Sequence, residues 1–199
     1  MRIRPASRAA RPPLPILAAL VLVVSVTGAS GSVVRVLSLP QLAERSDAVV
    51  VAAVESSSAS WVDGRIVTDS VVAVGEPLSG AAAGDRLVVR TLGGEVDGIG
   101  QRVFGEPWLR AGERYLLFLE SLCPEGEPCG TARYRTIGMS QGALPVVDGS
   151  DGPRVVPSPE LPELVEPGAE RTVQAWLAAP RPLADVLTDV RAALRDAGH

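Results

Sequence analysis

Hydrophobic positions along this chain fall into three kinds of run. The first is "PILAALVLVVSV", Pro15 to Val26, apolar almost throughout. The second kind is shorter and rich in β-branched residues. It comprises "DAVVVAAV" (Asp47 to Val54), "RIVTDSVVAV" (Arg65 to Val74), "DRLVVRTL" (Asp85 to Leu92) and "GERYLLFLES" (Gly112 to Ser121), then "ARYRTIGM" (Ala132 to Met139) and "GALPVVD" (Gly142 to Asp148). Such runs between Gly, Pro and Asp signals read as strands. In Asp47 to Val54 successive positions are apolar, so both faces are buried, as in a strand that closes into a barrel. The third kind recurs at helical spacing: Leu183, Val186, Leu187, Val190 and Leu194, with Gly198 as a stop.

The segments between the runs sharpen this pattern. "SLPQLAERS" (Ser38 to Ser46) predicts a short helix, because Ser38 caps its first turn and Gln41 completes a capping box. Asp63-Gly64 is the sharpest hairpin signal in the chain. "PRVVP" (Pro153 to Pro157) pairs with the preceding strand across "GSDG". Strands joined by Gly-based turns, with no alternating helices, predict a mostly β fold, an antiparallel barrel or sandwich over 32–156. A Pro/Glu-rich extended linker is expected over 157–181, then an amphipathic C-terminal helix over 182–197 that packs on the barrel, with a free partner-binding helix as the alternative. No internal repeat is present.

The N-terminus sets the compartment. Arg2, Arg4, Arg8 and Arg11 precede the apolar run, and the small residues "TGASGS" (Thr27 to Ser32) follow it. These are the parts of a secretory signal over residues 1–31, cut after Ala29 or Gly31. The apolar run is shorter than the ~20 residues that span a bilayer; an uncleaved anchor is the alternative. A secreted or periplasmic location is therefore expected, without membrane attachment after cleavage. Cleavage after Gly31 leaves 168 of 199 residues, with 15 arginines against 23 acids, a net charge of −8 where the full chain has −4. That length suits one domain. That charge disfavours nucleic acid, whose phosphates need basic patches. The chain has no Lys and no Asn, which fits GC-rich coding and removes any N-glycosylation site.

Cys123 and Cys129, in "LCPEGEPCG", enclose five residues with two prolines and a glycine. Export permits oxidation, so a local disulfide is expected. A metal pair is the rival, but two thiols without histidine make a poor zinc site.

"RTLGGEVDGIGQRVFGEPW", Arg90 to Trp108, holds five glycines: Gly93, Gly94, Gly98, Gly100 and Gly105. A phosphate loop needs a helix to start straight after such glycines, and no helical stripe follows. Calcium is the second candidate, with Glu95, Asp97 and Glu106 and, further off, Asp69 or Glu76, although the acids lack the regular spacing of an EF-hand. The preferred reading is structural: these glycines turn corners at bulges and barrel ends. Phe104, Trp108 and Phe118 are then expected in core packing.

Catalysis by familiar constellations is excluded. The one histidine is His199, the last residue. A Ser-His-Asp or Cys-His arrangement needs a positioned imidazole, and lysine chemistry has no lysine. Paired carboxylates survive as an option.

The ordering from "RSDAVVVAAVESSSASWVDGRIVTDSVVAVGEPLSGAAAGDRLVVRTLGG" to "GIGQRVFGEPWLRAGERYLLFLE" resembles a group of uncharacterised exported proteins of GC-rich bacteria, myxobacteria-like. Its first half is similar to the netrin-like/tissue-inhibitor-of-metalloproteinase module, which implies a five-stranded OB-type barrel. Those inhibitors place a cysteine at the mature N-terminus. None lies near Ser32 here, so the resemblance does not carry their mechanism. The expected function is a non-catalytic exported β-barrel module, without cofactor, that binds a protein or glycan of the envelope or outside the cell. The alternative is a carboxylate-based hydrolase of a glycan-like substrate, marked by paired acids in one pocket with a raised pKa.

Overall fold

A barrel requires strands that pair in a ring, and five strands of this chain do. The computed structural model describes residues 36–123, 133–160 and 173–199; the leader expected over 1–31 lies outside them. In chain order the elements are α1 (Leu39–Glu44), β1 (Ala48–Val62), β2 (Arg65–Ser79), β3 (Arg86–Val96), β4 (Ile99–Arg102) and β5 (Arg114–Ser121). They continue with β6 (Arg133–Thr136), β7 (Ala143–Gly149), β8 (Gly152–Val155), α2 (Val173–Trp176), β9 (Arg181–Pro182) and α3 (Leu183–Ala197). The ring runs β1-β2-β3-β6-β5 and closes from β5 back to β1. Every pairing in it is antiparallel except β3 with β6, at Val88–Arg133 and Val89–Tyr134. This is a mostly β, OB-like barrel; β7, β8 and β9 extend the sheet outward from β5, and β4 pairs only with β3.

The valine run explains the layering. Alternate residues of a strand point to opposite faces. Ala48, Val50, Ala52 and Val54 of β1 face the interior with Leu117 and Leu119 of β5, and Val72, Val74, Leu87 and Val89 complete that core. The intervening Val49 and Val51, with Leu116 and Phe118, face outward beneath the helices. Both faces of this strand pair are thus dry, which is why neither segment alternates with polar residues.

The helices make the second layer. Ser38 caps α1: its Oγ accepts from the Gln41 N–H, and the Gln41 side chain accepts from the Ser38 N–H at 2.9 Å. Such a cap is worth ~1 kcal/mol. The predicted stripe of α3 is buried at Leu183, Val186, Leu187, Val190 and Leu194, and Gly198 ends the helix in the left-handed conformation. Asp63 and Gly64 form the two-residue turn between β1 and β2, with φ 49° and 73°, the left-handed pair that such hairpins require.

Strand bounds change, and the described part of the linker range carries structure. β1 and β2 run well beyond the valine-rich segments, to Val62 and Ser79. The strand expected over 132–139 ends at Thr136, because Gly138 and Met139 turn left-handed (φ 64° and 60°) into a 3-10 turn, Met139–Gly142. Residues 161–172 of the expected linker lie outside the described residues; the described remainder of 157–181 contains α2 and the start of β9 and buries Ser158 and Leu177. Leu177 joins the α3 side of the core. Among the described residues no helix is long and apolar enough to cross a membrane.

Candidate functional site

The interior changes character along the barrel axis. Past Val72, the inward positions of β2 are Ser70 and Thr68; past Val89, the next on β3 is Thr91; past the irregularity at Val54–Ser56, β1 presents Ser57 and Ala59. The Ser57 and Ser70 hydroxyls bond each other at 2.8 Å, and Ser57 Oγ also reaches the Leu109 carbonyl at 3.4 Å. Leu109 is buried against the apolar core. It plugs the barrel there, and above it a cavity of about 240 Å³ opens to solvent.

The glycine stretch builds the roof. β3 leaves β2 after Leu92, its last partner being Val67. Gly93 and Gly94 bend it, with φ 97° and 133°. A Cβ on Gly94 would stand 2.4 Å from Thr68 Oγ1 and 3.0 Å from the Ala59 Cβ, so only glycine lets the strand cross so close. Two side chains cover the backbone groups freed by this departure. Thr68 Oγ1 donates to the Gly93 carbonyl at 2.7 Å, and Gln101 Oε1 accepts the Ile66 N–H at 3.0 Å. Gln101 thereby fixes β4, and the chain from Val103 to Leu109 completes the cavity wall.

Glu106 is the acid of this wall. Burial pushes its carboxyl above the usual carboxylate range, opposed by the Leu92 backbone N–H and by the charge of Arg135. Glu106 also lines a second, more open cleft of about 580 Å³ with Arg45, Glu120, Arg135 and Met139. Arg135 is engaged there by Glu120 at 2.8 Å. The cleft is floored by paired charges; the barrel-mouth cavity combines hydroxyls, an amide and an acid.

One aromatic side chain, Trp108, lines the mouth, and other exposed apolar residues lie close to it in the chain. Trp108 is 50 % exposed and Phe104 63 %, with Ile99 at 55 % on β4. The Arg102 guanidinium lies 5.8 Å from the Trp108 ring centre. Behind the rim, the buried Tyr115 hydroxyl meets Glu113 Oε2 at 2.6 Å and the Trp108 carbonyl at 3.2 Å, holding the rim loop. Burial and Glu113 push that phenol well above its ordinary pKa.

Several expectations need correction. Phe104 and Trp108 do not pack in the core; only Phe118 does, and it lies in the outer layer under the helices. The calcium candidates do not converge. Glu95 and Glu106 line the cavity, whereas Asp97 occupies the β3–β4 turn with φ 52°. Among the described residues no three His, Cys, Asp or Glu side chains are placed to hold a metal. Asp69 is spent on Arg90, in a two-point ion pair with contacts of 2.7 and 2.8 Å, and Glu76 binds Arg191. Gly98 and Gly105 have positive φ, while Gly100 is ordinary strand with open space beside it. Cys123 donates its N–H to Ser121 Oγ at 3.1 Å; Cys129, its expected partner, lies outside the described residues.

The cavity itself was missed by reading the glycines as corners alone. Its signal was available: Ser57, Thr68, Ser70 and Thr91 replace valine at inward positions of three neighbouring strands. No family model matches this chain, no curated protein matches it, and no solved structure matches it.

Proposed function

We propose that this protein is an exported, non-catalytic β-barrel module that holds a component of the envelope or the extracellular medium at its barrel mouth. One observation carries the reading: a half-polar cavity, with the half-exposed indole of Trp108 at its rim, lies where the interior would otherwise be filled with valine. Concave sites with apolar walls and a few convergent polar groups are where small ligands bind. Export rests on the leader sequence, and the absence of a positioned imidazole supports binding over turnover. The test is fractionation of the native host, followed by co-sedimentation of the purified chain with its envelope fraction. Periplasmic or secreted protein is expected, with sedimentation abolished by Trp108→Ala. A cytosolic, leader-bearing product overturns export, and unaltered sedimentation of the variant overturns the site.

A second reading, a carboxylate hydrolase, draws on Glu106, a partly desolvated acid sharing the cavity with Glu95. Release of reducing ends from envelope polysaccharide, lost in Glu106→Gln, would establish it in place of the binding module.

A further inference from the structure

The polar groups left without partners define what the cavity accepts. Thr91 is 6 % exposed, and its hydroxyl bonds no other group among the described residues. Only Ser140 Oγ combines full burial with a missing partner among those residues, so the Thr91 hydroxyl reaches the open cavity. The amide nitrogen of Gln101 is likewise unspent, since its Oε1 takes the Ile66 N–H. Glu106 adds a carboxyl group to the cavity wall, with its charged form favoured by the Leu92 backbone N–H and by Arg135 and disfavoured by burial. The cavity thus offers an amide donor, a carboxyl acceptor and a hydroxyl that serves as either.

Each ligand class meets this set differently. An anion would use the amide and the Arg102 guanidinium at the rim but face two acids, Glu95 and Glu106. An ammonium group would satisfy Glu106 and leave the Gln101 amide unmatched, at the cost of a desolvated donor. A polyhydroxylated ligand matches all three, because every hydroxyl both donates and accepts. The volume, about 240 Å³, lies just under the ~300–1,000 Å³ of pockets for drug-sized ligands, so a single ring fits and a longer chain must emerge at the rim. Trp108 stands at that rim with a half-exposed indole. Arg102 sits over it at 5.8 Å, near the ~6 Å limit of a cation–π contact, and is itself exposed, so it yields readily to a flat apolar face.

We propose that the barrel-mouth cavity binds one neutral pyranose unit, with Thr91, Gln101 and Glu106 on its hydroxyls and Trp108 against its C–H face. This rests on the reading of the mouth as the binding site. The test is calorimetry and ligand-observed NMR on the full chain. The neutral probes are methyl glycosides of glucose, galactose and mannose, with N-acetylglucosamine; glucosamine serves as the cationic probe and glucuronate as the anionic one. At least one neutral probe is expected to bind, tenfold or more weaker in Thr91→Val and in Trp108→Ala, and unchanged in Thr188→Ala on the exposed face of α3. Trp108 is a surface residue, so its variant decides the matter even if Thr91→Val misfolds. Binding of glucosamine or glucuronate alone, no binding of any neutral probe, or neutral binding indifferent to Trp108 overturns the proposal. If the pyranose probes fail while envelope sedimentation still depends on Trp108, only the ligand class falls; if both fail, the mouth is not the site.

Discussion

The two ends of one barrel differ in what fills them. At the closed end, β1 and β5 present Val50, Ala52, Leu117 and Leu119 inward, and the same strands carry a second dry face under α1 and α3. At the mouth, equivalent inward positions are Ser57, Thr68, Ser70 and Thr91, and the covering segment is held by side-chain hydrogen bonds to backbone. Apolar packing grips without direction and stabilises in proportion to area. Hydroxyls and amides are directional, and each one left unspent is an offer to a ligand. The closed end therefore holds the fold, and the mouth holds the chemistry.

This division predicts unequal responses to substitution. Leu117→Ala, at a fully buried inward position, should cost ~2–5 kcal/mol. Trp108→Ala should stay within ~0.5 kcal/mol, as surface changes do. Urea unfolding of the two variants measures the contrast; equal losses would show that the rim is also structural. Gly94→Ala comes next. A Cβ 2.4 Å from Thr68 Oγ1, on a residue at φ 133°, should destabilise by ~1–3 kcal/mol. Because the strain sits in the roof, saccharide binding should fall further than the melting temperature alone implies. Smaller again is Ser38→Ala, which removes the α1 cap for ~0.5–2 kcal/mol and should leave the mouth untouched. A binding change in that variant would mean that the helical layer and the mouth are coupled.

How much of this was legible follows the same division. Local signals announced local structure. The Ser38/Gln41 capping box, the Asp63-Gly64 turn and the α3 stripe each depend on residues within a few positions, and each forms as its sequence dictates. The two-faced burial of β1 was readable because valine at successive positions has no other use. The site was not, since it is assembled from distant residues: Thr91 meets Gln101 and Glu106 only because Gly93 and Gly94 fold β3 across β2. Glycine density marked the place without saying what the bend encloses. The same density drew attention to Asp97, which chain proximity put near Glu95 but the turn keeps off the cavity lining. Composition likewise gave no sign of the buried anchor Leu177, which follows the proline-rich stretch.

The finest contrast is between two acids, one in the mouth and one on the barrel wall. Burial raises the Glu106 carboxyl above its ordinary pKa, so the folded state holds its proton more tightly than the unfolded chain. Its contribution is fully present below the ordinary glutamate value and is lost as pH rises through the raised one. Asp69 is the opposite case: the hydrogen bonds from Arg90, and then the charges of Arg90 and Arg133, hold it below the ordinary aspartate range despite some burial. Its contribution is present above that ordinary value and is lost as pH falls through the lowered one. Melting temperatures measured from acid to neutral pH should therefore separate the variants by sign. Relative to the parent, Glu106→Gln should gain stability as pH climbs through the raised carboxyl range. Asp69→Asn should lose its disadvantage only at the acid end, where the parent's ion pair is itself titrated away. A neutral saccharide bound at the mouth should shrink the first effect, because its hydroxyls replace the water that Glu106 lacks, and should leave the second as it was. If both variants shift in the same direction, or the ligand alters the Asp69 profile instead, the mouth acid does not differ from the wall acid in the way its surroundings dictate.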